Sequence, residues 1–126
     1  MSATPANDIP RFEVNSASAT NGVHVVQIAG ELDISHEEEV RKELKRAIDK
    51  AKAGVIVDLT ECEFIDSSGV RALLQGYEAQ RENDQAARLA VAASSEQILR
   101  ILSVMGVDKV IPVRPTPEEA IAELPG

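Results

Sequence analysis

Two adjacent serines, Ser67 and Ser68, are the residues of this 126-residue sequence best placed to do chemistry. They stand in the run Asp66-Ser67-Ser68-Gly69, directly before an apolar repeat of period i, i+3, i+4, i+7 that predicts an amphipathic helix, formed by Val70, Leu73, Leu74 and Tyr77. A helix N-terminus presents unpaired N–H groups and the positive end of the helix dipole, and so favours an anion such as a phosphate. We therefore predict a switch site at this turn.

Helix capping is the alternative role for the two serines. Asp, Ser and Gly are common at helix starts for reasons unrelated to modification, and the local sequence by itself favours this simpler role.

The turn follows the continuous apolar run Val55–Val57, which is typical of a strand buried on both faces. We interpret the stretch from Val55 to Gly69 as a central strand that leads into the turn.

The remaining segments alternate between strands and helices. An edge strand over Arg11–Ser16, a turn at Asn21-Gly22 and a strand over Val23–Ala29 predict an opening antiparallel hairpin. The later predictions are a helix capped by Ser35 with Glu38, a helix from Ser68 to about Asn83, a strand Ala86–Ala93, a helix from Ser94-Ser95 to Gly106, a strand Val110–Val113 and a helix from Thr116-Pro117 to about Leu124.

This order predicts an α/β domain over residues 11–126, after a flexible tail over residues 1–10. The sheet is mixed and mostly parallel, with an antiparallel N-terminal strand and about four flanking helices. Sites on such sheets gather at the carboxyl ends of the strands. We expect the loop Gly30–Asp33 to close one strand, and to share this edge with the turn Asp66–Gly69.

The composition limits the partners and the compartment. A net charge of −8 argues against nucleic acid or an anionic membrane as the main partner. Cys62 is the only cysteine, so an internal disulfide is excluded and a reducing compartment is the simplest interpretation. The sequence shows neither a signal peptide nor an apolar run of roughly 20 residues, and we expect a cytoplasmic protein.

Three groups of motifs give the sequence a family resemblance. From Arg11 to Leu124 the chain resembles the anti-sigma factor antagonists, bacterial single-domain proteins of the STAS class (sulfate transporter and anti-sigma factor antagonist). The motifs are Gly30-Glu31-Leu32-Asp33, then Asp58-Leu59-Thr60 with Phe64-Ile65-Asp66-Ser67-Ser68-Gly69-Val70, and finally Met105-Gly106-Val107-Asp108-Lys109-Val110 with Pro117-Glu118-Glu119-Ala120.

The resemblance implies a partner switch. The unmodified antagonist would bind an anti-sigma factor that is also a serine kinase, and so release a sigma factor. The kinase would phosphorylate Ser67, the modified form would no longer bind, and a metal-dependent serine phosphatase would reverse the modification. No cofactor or metal is implied, and we expect a monomer or a weak dimer.

The partner-binding residues predicted on this basis are Asp33, Asp66, Ser67, Ser68, Gly69 and Arg71. Ser68 is assigned a structural role, and a side chain at position 69 would crowd either the turn or the partner. Asp33 either bonds a basic partner residue or holds the turn before Ser35. Arg71 stands where the family often has a small residue; it pairs with phospho-Ser67, selects among partners or is only solvated.

Two other classes of function stay open as alternatives. The first is a constitutive binding module of a signalling or lipid-transport complex, in which Ser67 would only cap the helix. The second is a hydrolase or nucleotide-binding protein. Against it, neither His24 nor His36 is placed convincingly against Ser67, and the sequence lacks a Gly-x-Ser-x-Gly elbow, a Walker loop and a metal-ligand cluster. We therefore predict a regulator that is not an enzyme.

Overall fold

The computed structural model describes residues 12–82 and 88–124, and within them it contains six β-strands and four α-helices. The predicted α/β class is confirmed, whereas the predicted tail over residues 1–10 lies outside the described residues. The strands are β1 Glu13–Ser18, β2 Val23–Leu32, β3 Gly54–Asp58, β4 Cys62–Ile65, β5 Arg88–Ala92 and β6 Val113–Arg114. The helices are α1 Glu37–Lys50, α2 Ser67–Glu82, α3 Glu96–Val104 and α4 Pro117–Ala122, with 3-10 turns at Ile34–His36 and Val107–Lys109.

The sheet has the strand order β1-β2-β3-β5-β6, and only the β1–β2 pair in it is antiparallel. The predicted hairpin turn is confirmed, since Asn21 and Gly22 have φ angles of 57° and 84°. Asn and Gly tolerate positive φ better than other residues do, so they suit the last two positions of the four-residue connection Ala19–Gly22 between β1 and β2. Strand β1 continues to Ser18, two residues beyond its predicted end, because its backbone pairs with β2 as far as His24.

The prediction that Gly30–Asp33 closes the second strand was wrong. Strand β2 continues to Leu32, and Gly30 adopts a φ of +86° at an irregularity between Gly30 and Glu31. Up to Gln27 the strand pairs with β3, and from Gly30 onward it pairs with β4. The glycine therefore allows one strand to change its parallel neighbour.

The interpretation of Val55 to Gly69 as one strand and a turn was also wrong. Strand β3 ends at Asp58, whose Oδ1 accepts bonds from the backbone N–H and the hydroxyl of Thr60, at 3.0 and 2.7 Å. The chain then forms β4, which pairs in parallel with the last part of β2. The strand that leads into Ser67 is thus the short β4.

The main core lies on the face of the sheet covered by α1, α2 and α3. Its largest fully buried side chains include Ile28, Leu32, Leu44, Leu73, Ile98 and Leu102. The opposite face is covered by α4, and buries a smaller group formed by Val23, Ile56, Ala90, Ala92, Ala120 and Leu124. No helix in residues 12–82 and 88–124 has the length and apolar character needed to cross a bilayer.

The helix ends test the predicted caps. The cap at Thr116 is confirmed, because its hydroxyl accepts the N–H of Glu119 at 3.1 Å with Pro117 at the first helical position. Gly106 follows α3 with a left-handed φ of +82°, as predicted. The prediction of a capping box formed by Ser35 and Glu38 was wrong. Helix α1 begins at Glu37, two residues after Ser35, and its N-cap residue, His36, makes no side-chain capping bond.

Other element ends differ by a few residues. Ser95 is the N-cap residue of α3, but its side chain makes no capping bond. The strand predicted over Val110–Val113 is reduced to Val113–Arg114, because Val107–Lys109 forms a 3-10 turn first. The predicted ends at Asn83 and Ala86 lie outside the described residues.

Candidate functional site

Ser67 is the first residue of α2, and its side chain is exposed. The preceding residue, Asp66, supplies the helix cap: its Oδ1 accepts the N–H of Gly69 at 3.1 Å, and its backbone carbonyl accepts the N–H of Val70 at 3.0 Å. The capping role considered for the serines therefore belongs to Asp66. The Ser67 hydroxyl is left facing solvent at the positive end of the helix dipole.

Ser68 occupies a different environment from its neighbour. Its residue is only 8% exposed, whereas Ser67 lies in the exposed class. An enzyme that modifies a hydroxyl must reach it, and of the two serines Ser67 offers that access. This placement agrees with a structural role for Ser68.

The end of β2 and the start of α2 meet at one edge of the sheet. Leu32 pairs with Ile65 in neighbouring parallel strands, and the N–H of Asp66 donates to the carbonyl oxygen of Leu32 at 3.3 Å. Asp33 follows Leu32 directly, as Asp66 follows Ile65. The structure thus brings Asp33, Asp66 and Ser67 to the same edge, as the sequence predicted.

Asp33 holds the 3-10 turn that follows β2. Its Oδ1 accepts the backbone N–H of Ser35 at 3.0 Å and the Ser35 hydroxyl at 2.6 Å. The bond from the hydroxyl is the main reason that the pKa of the Asp33 carboxyl lies below its usual value, while desolvation opposes the shift. Asp33 is therefore a turn aspartate, as the alternative proposed, and its side chain remains 35% exposed to a partner.

His36 is the last residue of this turn. Its Nδ1 is 3.2 Å from Oδ1 of Asp33 but has no well-formed hydrogen bond, and its ring stacks on Phe12 with the centroids 4.1 Å apart. His24 lies in the first half of β2, opposite Ser18 of β1, at the other end of the strand. Among the described residues, no group of three His, Cys, Asp or Glu side chains could hold a metal ion.

Gly69 is required by the packing of the fold. A Cβ built on it would lie 2.7 Å from Cγ1 of Ile65 and 2.8 Å from Cγ of Leu32, both of which are buried. Real Cβ atoms essentially never come so close to a neighbour. The crowding that the sequence predicted would therefore occur within the turn, before any partner is considered.

Arg71 and Cys62 complete the surroundings of the turn. Arg71 is exposed and is the fifth residue of α2, so it lies at the start of the second turn and not in the first. Cys62 is buried in β4 and its thiol donates to the carbonyl oxygen of Phe64 at 3.2 Å. Burial raises the pKa of this thiol, which favours its unreactive form.

Two exposed apolar residues at this edge were not among the predicted site residues. Ile34, in the 3-10 turn, is 71% exposed, and Phe64, in β4, is 45% exposed. Neither belongs to the stripe of an amphipathic helix, and β4 itself was not predicted. The available signal was an apolar residue directly after Asp33 and another shortly before Asp66.

The cap gives a prediction about stability. Replacing Asp66 with alanine is expected to lower the free energy of unfolding by about 1 kcal/mol, because the N–H of Gly69 loses its acceptor. Replacing Asp66 with asparagine keeps an oxygen for this bond, and should retain most of the stability. Urea denaturation of both variants measures the difference, and an alanine variant as stable as the original chain would contradict the cap.

Comparison with known proteins gives one family. A family model described as the STAS domain matches residues 16–120. Among curated proteins, the anti-sigma F factor antagonist of Paenibacillus polymyxa is 29% identical over 104 residues, which cover 82% of this chain and 87% of that protein.

Solved structures share the fold. An anti-sigma factor antagonist from Mycobacterium paratuberculosis superposes with a TM-score of 0.80 at 24% identity, over 89% of this chain and 92% of that one. The Bacillus cell fate determinant SpoIIAA, in its phosphorylated form, superposes with a TM-score of 0.65 at 24% identity, over 87% of this chain and 97% of that one.

Proposed function

Since the chain belongs to the STAS domain family, we propose that it acts as an anti-sigma factor antagonist controlled by phosphorylation of Ser67. In its unmodified form it binds an anti-sigma factor with serine kinase activity and thereby releases a sigma factor. The name of the Paenibacillus relative supports the antagonist role. The phosphorylated form in which SpoIIAA was solved supports modification as the means of control.

The exposed hydroxyl of Ser67 is the observation that carries this proposal. A kinase can reach it at the first position of α2, and the helix keeps its cap when the hydroxyl is modified, because the cap comes from Asp66. A phosphate adds about −1.5 to −2 charges at a helix N-terminus, where the dipole and the N–H groups favour an anion. The phosphate on Ser67 is therefore compatible with the fold, although it prevents binding to the anti-sigma factor.

The loss of partner binding on phosphorylation follows from the surroundings of Ser67. Asp66 is adjacent to it and Asp33 lies at the same edge, so the phosphate joins an already acidic group of side chains. At a packed interface its three oxygens also need space and lose water. The switch therefore acts on the partner and leaves the domain folded.

The proposal assigns the other predicted residues as follows. Asp33 presents its partly exposed carboxylate to a basic residue of the anti-sigma factor, and the exposed Arg71, four residues after Ser67 in α2, influences which partner binds. A metal-dependent serine phosphatase restores the hydroxyl. The chain itself binds without catalysing, and it works in the cytoplasm, where sigma factors act.

Phosphate mapping tests the choice of serine. Incubation with ATP and the anti-sigma kinase is expected to add one phosphate, which mass spectrometry locates on Ser67. The kinase is obtained from the native cell with Ser67→Ala as bait, because this variant cannot be modified and stays bound. A phosphate found only on Ser68 would contradict the assignment.

The same experiment separates the alternative function. A constitutive binding module would capture partners without becoming phosphorylated. That alternative gave Ser67 the role of helix cap, a role that Asp66 fills in the structure. Capture of transport components, with no phosphate on the chain, would favour the module.

A further inference from the structure

We propose that Ile34 and Phe64 are the apolar anchors of the surface around Ser67, and that they dock into an apolar pocket with a basic rim on the anti-sigma factor. This inference rests on the proposed function, and adds the chemistry by which the partner is recognised. It assigns the binding energy to two side chains that are not modified.

The exposure of Phe64 is unusual for this chain. The sequence has two Phe, one Tyr and no Trp. Phe12 stacks on His36 and Tyr77 packs against the main core, whereas Phe64 remains 45% exposed between buried residues of β4. Aromatic side chains are enriched among the residues that dominate binding energy at interfaces.

Ile34 is exposed in a turn that is held firmly. Its side chain is 71% exposed, and the bonds of Ser35 to Asp33 fix the 3-10 turn in which it lies. This turn also contacts α2, the helix that begins with Ser67. A rigid apolar residue loses little conformational freedom on binding, and therefore suits the role of an anchor.

Both anchors are close enough to Ser67 to lie in the same interface. Phe64 is three residues before Ser67, a separation of at most about 11 Å along the chain. Ile34 is two residues after Leu32, whose carbonyl oxygen accepts the N–H of Asp66, which places Ile34 within roughly 16 Å of Ser67. A standard interface buries about 800 Å² on each partner, a patch about 30 Å across, which is wide enough to include all three residues.

Charge complementarity indicates the partner. Four acidic residues surround the anchors at the ends of β2 and β4: Glu31, Asp33, Glu63 and Asp66. Glu31 is paired directly with Phe64, and Glu63 is its neighbour in the strand. An acidic surface with apolar residues within it is complementary to an apolar pocket with a basic rim.

The anchors also explain how one phosphate can prevent binding to a partner with a basic surface. A basic rim by itself would attract a phosphorylated chain. If Ile34 and Phe64 exclude water from the centre of the interface, the phosphate on Ser67 must lose its hydration there, and this cost exceeds the gain from distant charges. The switch then depends on the apolar anchors.

Binding measurements on three variants test the proposal. The probe is the purified anti-sigma factor recovered with the Ser67→Ala bait, titrated by calorimetry. Ile34→Ser and Phe64→Ala are each expected to weaken binding by about tenfold or more. Val104→Ser is the matched control, because Val104 is 78% exposed at the C-terminal end of α3, an element that carries neither anchor nor Ser67, and its substitution should change the affinity less than about twofold.

The outcomes separate this inference from the proposed function. Wild-type affinity in Ile34→Ser, which removes an exposed side chain and should fold normally, would overturn the anchors. An equal loss in Val104→Ser would overturn them as well. Sedimentation provides a further test: a dimer that Ile34→Ser dissociates, with unchanged binding to the anti-sigma factor, would assign the surface to a second copy of the chain. If Ser67→Glu binds normally while both anchor variants fail, the anchors stand and the phosphorylation switch fails.

Discussion

Replacement of Ser67 by glutamate is expected to weaken binding to the anti-sigma factor about a hundredfold, whereas Ser67→Ala should bind as tightly as the unmodified chain. A hundredfold change corresponds to about 2.7 kcal/mol. Burial of an unpaired carboxylate at an interface can supply this amount. Glutamate carries one charge and a phosphate about two, so the variant should weaken binding less than phosphorylation does.

The stability of the same variant shows where the effect arises. A carboxylate in the first turn of α2 interacts favourably with the helix dipole, and Asp66 still provides the cap. We therefore expect Ser67→Glu to unfold at the same urea concentration as the original chain, or at a slightly higher one. Loss of binding together with loss of stability would mean that the substitution acts by disrupting the fold.

Ser18→Glu is the matched control for added charge. Ser18 is exposed in β1 and is paired with His24, near the beginning of β2, whereas Ser67 lies beyond its end. An extra negative charge there changes the net charge equally, and should leave the affinity nearly unchanged. Equal losses in the two glutamate variants would indicate general electrostatic repulsion and would contradict a local switch.

Gly69→Ala is expected to lower the free energy of unfolding by about 1–3 kcal/mol, the usual cost of overpacking a core. The new Cβ would lie less than 3 Å from Ile65 and Leu32, two side chains whose positions are fixed by the pairing of β2 with β4. Strand β2 leads into Asp33 and strand β4 leads into Asp66 and Ser67. The strain therefore lies directly under the candidate site. Urea denaturation measures the loss, and calorimetry with the anti-sigma factor shows whether binding falls as well.

Gly76→Ala is the control within the same helix. The closest contact of a Cβ on Gly76 would be Cδ1 of Leu44 at 3.2 Å, the end of a side chain, and its next contacts with Leu44 would be 3.8 Å or longer. Both substitutions replace glycine with alanine in the same helix, so the difference between them reports mainly on the close contact at Gly69. The packing argument fails if the two alanine variants have the same stability.

The sequence predicted those parts of the fold that depend on local patterns. The apolar stripe of the helix after Ser67, the Asn21-Gly22 turn and the cap at Thr116 are confirmed, because each is determined by neighbouring residues. Strand β4 was missed because it has only four residues, and two of them are exposed. Its existence depends on β2, a distant segment that changes partner at Gly30.

Competition between polar side chains explains the errors near the site. Ser35 with Glu38 has the pattern of a capping box, but Asp33 binds both the N–H and the hydroxyl of Ser35. Likewise, either serine after Asp66 matched the preference for a helix cap, and the carboxylate of Asp66 took that role. Residue preferences identify which groups compete for a cap, and the backbone geometry decides between them.

The sequence identified the turn at Ser67 and its acidic neighbour Asp33, but it did not reveal the apolar residues beside them. Exposure of Ile34 and Phe64 depends on which elements cover β4 and the 3-10 turn, and this information is not local. The reason for Gly69 was also ambiguous, because its close neighbours, Leu32 and Ile65, come from two strands.

The cap at Asp66 has a consequence for the lifetime of the protein in the cell. Because this cap does not use the Ser67 hydroxyl, the phosphorylation that we propose should not increase the unfolded fraction of the chain. Proteases that attack the unfolded chain should then degrade the modified form no faster than the unmodified one. With the switch that we propose, the total amount of antagonist would then stay constant while its active fraction varies, and the phosphorylated molecules would form a reserve that a phosphatase can mobilise without new protein synthesis.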